Sequence, residues 1–137
     1  MEELYHNLEM WQRANSICLK VFKLSNDLPS KERLSLFHLI RNTSENIPLK
    51  IVNGSTSKHI NEYIEKLKEA YDLLIKLKTE ILISKHLQYI TTKDLKALDV
   101  ELNELIKLLY SMINSLKLKM YALNYSFAYC SPPFGLN

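Results

Sequence analysis

The sequence predicts an all-α fold, an antiparallel up-down four-helix bundle. Apolar residues recur every three or four positions in four long segments, which is the spacing of a helix with one buried face. Only 2 glycines occur in 137 residues, too few for the many tight turns of a β-rich protein. Short connections join the segments, so we expect consecutive helices to pack as antiparallel neighbours.

Segment one spans about residues 3–26 and carries a helix-period apolar face. The members of that face are Leu4, Leu8, Trp11, Ile17, Cys18, Val21 and Leu24. We predict that Trp11 and Cys18 lie in the core. The helix is expected to end at residues 27–29, because the residue before Pro29 is pushed out of the α region.

Segment two follows Ser30, a predicted N-cap, and contains a proline. A kink is predicted at Pro48, because proline cannot donate a hydrogen bond to the carbonyl of Ser44. Residues 46–54 read NIPLKIVNG, and Asn-Gly beside Ile-Val is also a hairpin signal. The polar run after Gly54 shows no strand alternation, so we interpret Gly54 as a left-handed residue that closes a kinked helix.

Segments three and four have the longest apolar stripes. Segment three is predicted to start near Ser57 and to end around His86, a basic residue that suits a helix C-terminus. Segment four opens with a cap-like signature at residues 91–94, which read TTKD. Its apolar face continues at nearly every turn as far as Leu116.

The C-terminal residues do not continue this pattern. From Tyr121 onward the sequence is rich in aromatic residues, and two consecutive prolines follow at 132–133. We therefore predict a bundle domain of residues 1–120 and a non-helical tail of residues 121–137. Two interpretations of the tail are open: it docks on a neighbouring subunit or a partner, or it is disordered.

Several function classes are disfavoured by composition. The four histidines fall in four segments without a shared Glu-x-x-His pattern, so no metal site is predicted. The chain lacks a Gly-rich phosphate loop and a Gly-x-Ser-x-Gly motif. We expect a protein that is not an enzyme and has neither a cofactor nor a small-molecule substrate. Without a signal-peptide core or a membrane-length apolar run, it is expected to be cytoplasmic and not membrane-bound.

Three stretches carry a family resemblance. Residues 8–14 read LEMWQRA, residues 40–54 read IRNTSENIPLKIVNG, and residues 87–90 read LQYI. They resemble the Leu-x-Val-Trp-Gln-Lys-Ala, Leu-Arg-Arg-Ala-x-x-Ser-Ile-Pro-x-Asn-Ile-x-Glu-Gly and Leu-Gly-Tyr-Ile motifs of one family. This family comprises the bacterial four-helix bundle proteins encoded by intervening sequences of 23S rRNA genes. The resemblance covers about residues 4–118 in order and register.

The polar positions of the motif depart from the family pattern. Asn42, Asn46, Lys50 and Asn53 stand where the family has Arg, Ser, Asn and Glu. The chain is also similar to a sister group, the accessory variability proteins of diversity-generating retroelements. Thr43 favours that sister group, whereas the Trp-Gln of the first motif and the absence of a Gly-Gly-Trp favour the 23S rRNA group.

Both resemblances imply a homopentamer that associates with nucleic acid, and the sister group also implies binding to a reverse transcriptase. The net charge of +3 is mild, but basic residues are modestly concentrated in segment two. We expect Arg41, Lys50 and Lys58 to contact RNA phosphates, with Arg13 as a poorer candidate. The alternatives are an accessory subunit of a reverse transcriptase and a protein–protein interaction module of unknown partner.

Overall fold

The computed structural model describes residues 2–26 and 31–130, and nearly all of these residues are helical. The four helices are α1 (Glu2–Asn26), α2 (Lys31–Ser55), α3 (Ile60–His86) and α4 (Thr92–Cys130). No strand occurs in either described range, so the predicted all-α fold is confirmed. The predicted N-cap Ser30 and the predicted stop at residues 27–29 lie outside the described residues.

Each helix packs against two others, so the four helices form a closed cycle. α1 contacts α2 and α4, and α3 also contacts α2 and α4. Between α2 and α3, Thr43 Oγ1 donates to Glu80 Oε1 (2.7 Å), and Lys50 Nζ lies 2.9 Å from Glu69 Oε2. Residue numbers rise along one helix as they fall along the other, so α2 and α3 run antiparallel.

The core is built from the apolar stripes of all four helices. Its most deeply buried side chains are Met10, Ile17, Ile40, Ile47, Ile51, Leu67, Leu74, Leu77, Leu98, Leu102, Leu105 and Leu109. On α1, the prediction that Trp11 is a core residue is wrong, since Trp11 is 38% exposed and Met10 is fully buried. Each residue turns 100° around a helix, so Met10 and Ala14 place the core stripe to one side of Trp11. Cys18 is half-buried.

Gly54 has a different role from the predicted one. It is a buried residue inside α2, which ends at Ser55, and its φ is not positive. The prediction of a left-handed Gly54 is therefore wrong. A Cβ at this position would lie 3.1 Å from Tyr63 Cδ1 and 3.1 Å from Lys66 Cβ. The glycine allows α2 to approach α3 closely, whereas the kink at Pro48 stays a prediction.

The turn between α3 and α4 holds the left-handed residue, Gln88, whose φ is 62°. Its N–H donates to the carbonyl of Lys85, and the N–H of Tyr89 donates to the carbonyl of Ser84, both at 2.9 Å. This pair of bonds is a Schellman motif, in which the residue after the helix adopts the left-handed conformation. At the other end of the turn, Thr91 Oγ1 accepts a bond from the N–H of Asp94 (3.1 Å), which confirms the predicted cap of α4.

α4 is much longer than predicted. It spans 39 residues, against 25 to 27 in the other helices. The prediction of a non-helical tail is therefore wrong for residues 121–130, which continue α4. Tyrosine and alanine disrupt the apolar periodicity there without disfavouring helical backbone, since both residues are tolerated in helices. The remaining tail residues, 131–137, lie outside the described part of the chain.

Candidate nucleic-acid interface

The structure places Arg13 in an ion-pair network between α1 and α4. Its Nη1 lies 2.6 Å from Glu104 Oε2, and its Nη2 lies 3.2 Å from Glu9 Oε1. Two turns further along α1, Lys20 Nζ lies 2.7 Å from Glu101 Oε1. Two carboxylates therefore neutralise the one guanidinium, and Arg13 offers little free positive charge to a phosphate.

Arg41 joins α2 to the end of α1. Its Nε donates to the buried Ser25 hydroxyl, and its Nη2 donates to Asn26 Oδ1 at 3.0 Å. The guanidinium carbon lies 5.0 Å from the centroid of the Phe22 ring, within the range of a cation–π contact. These three contacts engage the side chain in packing between the two helices, and no carboxylate among residues 2–26 and 31–130 forms an ion pair with it.

Lys50 is paired on the opposite side of α2. Its Nζ lies 2.9 Å from Glu69 Oε2, and Lys66 Nζ lies 3.4 Å from the same oxygen. The hydrogen bond from Lys50 lowers the pKa of the Glu69 carboxyl group, with a further contribution from Lys66. Lys50 therefore contributes to an internal ion pair between α2 and α3.

Lys58 is the predicted residue that remains most available. It is exposed in the connection between α2 and α3, at one end of the bundle. It lines a cleft of about 360 Å³ between the start of α3 and the late part of α4. The residues that line this cleft are Ser57, Lys58, His59, Ile60, Tyr63, Leu116, Lys119 and Leu123.

The electrostatics of this cleft favour an anion. Lys58 and Lys119 place two ammonium groups in its lining, beside the imidazole of His59. The described lining contains no carboxylate. The cleft also adjoins the first turn of α3, whose backbone N–H groups carry the positive end of the helix dipole. His59 is the N-cap of α3 and makes no side-chain capping bond to that turn.

The four predicted residues do not form one site. Arg13 lies between α1 and α4, Arg41 between α1 and α2, and Lys50 between α2 and α3. The prediction missed Lys119, which is 61 positions from Lys58 in the sequence and meets it only because α3 and α4 pack together. The prediction that the histidines are surface or partly buried residues fits the exposed His59 but gives it no role in the cleft, although its place beside a predicted helix start is a usable signal.

Other chemistries have little support in the described residues. Within residues 2–26 and 31–130, no three His, Cys, Asp or Glu side chains are gathered in a way that could hold a metal ion. None of the four helices, over the same ranges, combines the length and the apolar character needed to cross a membrane.

Comparisons with known proteins agree with this architecture. A family model described as the 23S rRNA-intervening sequence protein matches residues 6–111. A solved structure from Bacteroides thetaiotaomicron, a protein with unknown function from the S23 ribosomal protein family, has a TM-score of 0.74 and 16% sequence identity. The match covers 80% of this chain and 98% of the Bacteroides chain. A search of curated proteins found no match. Since the family model spans most of the sequence, the chain belongs to the 23S rRNA-intervening sequence protein family.

Proposed function

We propose that this protein is a non-enzymatic, oligomeric scaffold that binds RNA in the cytoplasm through the basic cleft at the start of α3. The observation that carries the proposal is the meeting of Lys58, His59 and Lys119 in a cleft whose described lining has no carboxylate.

A single cleft offers few phosphate contacts, so we propose that binding depends on a ring of chains, a homopentamer. Two lysines neutralise at most two phosphates, and such a small number gives weak binding at physiological salt. Five copies of a chain with net charge +3 carry about +15, and their summed potential attracts a polyanion far more strongly. A folded RNA that spans several clefts would also gain affinity from multivalency.

The proposal is tested by charge reversal at the cleft with a matched control. The double variant Lys58→Glu/Lys119→Glu is compared with Lys93→Glu/Lys96→Glu, in which both lysines are exposed near the start of α4. Both variants change the net charge by the same amount. The two ends of α4 are separated by 26 residues from Lys93 to Lys119, about 39 Å of helix. The difference between the variants therefore reports position and not bulk charge.

The measurement is an electrophoretic shift with a structured RNA at several salt concentrations. We expect the cleft variant to lose at least tenfold in affinity at low salt, and the slope of log K against log salt to fall by about 1.4 to 1.8. The control variant should lose much less. Equal losses in the two variants would show attraction by net charge alone, and no shift of the wild-type protein at low salt would rule out the RNA scaffold.

A second candidate function is a protein–protein interaction module, including an accessory subunit of a reverse transcriptase. The exposed apolar side chains late in α4 favour it, because Leu118, Tyr121 and Tyr125 are each more than 60% exposed. The genomic position of the gene separates the two candidates. A gene beside a reverse transcriptase and a template repeat supports the accessory subunit, whereas a gene inside a 23S rRNA gene supports the first proposal.

A further inference from the structure

The last third of α4 extends beyond the rest of the bundle. α4 has 39 residues, about 12 more than the 27 of α3, and this difference corresponds to about 18 Å of helix. Among the α4 side chains described up to residue 125, Leu116 is the last buried one, and those from residue 117 to residue 125 are half-buried or exposed. This extension, defined as residues 118–130, therefore projects from the end at which α3 begins.

The composition of the extension differs from that of a solvated helix. Its 13 residues contain one charged side chain, Lys119. A helix face exposed to solvent normally carries charged and polar side chains, and the extension carries few. Other exposed helical surfaces of this protein are rich in lysine and glutamate, as in α3, so the extension is distinct within the same chain.

The described side chains of the extension form a stripe with the spacing of a helix–helix contact. Leu118 is 70% exposed, Tyr121 is 62% exposed and Tyr125 is 63% exposed. Their spacing of three and then four residues places them on one face of the helix. This outer stripe points away from the side of α4 on which Leu116 and Met120 continue the core, because it lies more than 90° around the helix.

We propose that the outer stripe is a self-association surface, and that its occupant is the same stripe of a second copy of this chain. The two extensions would pair antiparallel about a two-fold axis, so that each stripe covers the other. The stripe has no cation of its own to bind a nucleic acid. A helix that lies on a membrane surface has a polar face rich in Lys or Arg, and the extension has only Lys119. A second copy supplies a surface of matching size and chemistry.

The exposed area is sufficient for such a pair. A tyrosine side chain can bury 150 to 250 Å², so the two tyrosines and Leu118 together expose on the order of 400 Å² per copy. Tyr110, two turns earlier on a similar side of the helix, is 59% exposed and adds on the order of 100 Å². Complete coverage in two copies would then bury on the order of 1,000 Å² in total, the size of a weak or transient interface.

This pairing goes beyond the proposed ring and does not depend on it. The family model ends at residue 111, so the extension lies outside the part of the chain that the family describes. A two-fold contact cannot close a ring of five, because it joins units in twos. If the chain forms pentamers, the extension joins two of them, and if it is otherwise a monomer, the extension produces a dimer.

The test is a pair of charged variants of the full chain, Leu118→Glu/Tyr121→Glu and Leu118→Lys/Tyr121→Lys. Each variant places like charges against each other in a self-pair and should halve the mass measured by light scattering, in multiples of the 16.1 kDa chain. An equimolar mixture of the two variants places Glu against Lys and should restore the wild-type mass. Circular dichroism should show unchanged helix content, since both side chains are exposed.

The matched control is Leu19→Glu/Leu39→Glu, which changes the charge equally at side chains that are 58% and 61% exposed elsewhere on the bundle. We expect the control to keep the wild-type mass. A mass that is unchanged in the Leu118/Tyr121 variants, a mixture that does not recover, or a monomeric wild-type protein would overturn the pairing. If the wild-type mass corresponds to two chains and the variant mass to one chain, the pairing is supported and the ring is refuted. The two proposals can therefore be refuted independently.

Discussion

Replacing Gln88 with glycine should stabilise the protein, although the change removes a side chain. Gln88 has a φ of 62° in the Schellman turn that ends α3. A left-handed conformation costs an L-residue roughly 1–2 kcal/mol. Glycine has no Cβ and adopts this conformation without strain. It loses more backbone entropy on folding, however, and this opposing effect is about 0.5–1 kcal/mol. The net expectation is a gain of about 0.5–1 kcal/mol in the free energy of unfolding.

The matched control is the same substitution in a regular helix. Gln12 is exposed inside α1, so Gln12→Gly should destabilise the protein by about 0.5–1 kcal/mol through helix propensity. Gln88→Ala retains the left-handed strain and should change stability little. Urea denaturation measures the free energy of unfolding of all three variants. In a thermal melt, a gain of 1 kcal/mol corresponds to a rise of roughly 4 °C in Tm for a chain of this size. If Gln88→Gly is destabilised as much as Gln12→Gly, the assignment of strain to Gln88 is refuted.

Three further substitutions test the packing between helices. Gly54→Ala should destabilise by about 1 kcal/mol in urea, because the strain of a Cβ 3.1 Å from Tyr63, about 1–3 kcal/mol, outweighs the helix propensity gained, about 1 kcal/mol; a clearly stabilised variant would contradict the close approach. Leu105→Ala, in a fully buried position, should cost about 2.7–5 kcal/mol in the same assay, and a loss below 1 kcal/mol would contradict its burial. Lys50→Gln should raise the pKa of Glu69, measured by NMR of the carboxyl carbon, because the main hydrogen bond that lowers it is lost. Since the folded-state pKa of Glu69 is lowered, the stabilisation from this pair is present above the unfolded-state pKa and lost as the pH falls through the folded-state value. A pKa that does not move in Lys50→Gln would contradict the pairing.

The sequence predicted the fold well because the fold depends on periodicity. The buried residues Leu98, Leu102, Leu105 and Leu109 recur at spacings of three and four, and the structure buries all of them. Trp11 was misassigned because a large apolar residue 100° from the stripe centre still fits a loose helical pattern. Periodicity indicates that a helix is amphipathic, but where the stripe of α1 is centred depends on its neighbours α2 and α4.

The backbone details were harder to predict. Glycine at a helix end is compatible with a left-handed cap and equally with a close contact between helices. Gly54 makes the close contact, with α3. The left-handed conformation falls instead on Gln88, for which residue type gives no warning. The resemblance did contain a signal, since the family motif has Gly at the position of Gln88. The family glycine that Gln88 replaces therefore indicated the left-handed position better than Gly54 did.

The candidate site could not be assembled from charge counts along the chain. A lysine contributes to phosphate binding only if no carboxylate already neutralises it, and that depends on contacts across helices. Lys50 looked free in the sequence but meets Glu69 of α3, whereas Lys58 lines a cleft that residues of α4 complete. Sequence-local charge patterns therefore predict solubility better than binding, because i,i+4 neighbours are visible in the sequence and tertiary neighbours are not.

The division of α4 into two parts bears on how this protein differs from its family. Up to residue 111 the chain follows the family model, and the helix then continues for 19 residues. A helix that outgrows its bundle loses the packing on which helix stability normally depends, so length alone gives no reason for it to persist. Its persistence is explained if a second copy supplies that packing. The basic cleft lies at the base of the extension and shares Lys119 and Leu123 with it. Leu116 lines the cleft, and the outer stripe lies on the opposite side of α4. Pairing through the stripe would therefore leave the clefts of both copies uncovered, so that each paired chain could still bind RNA.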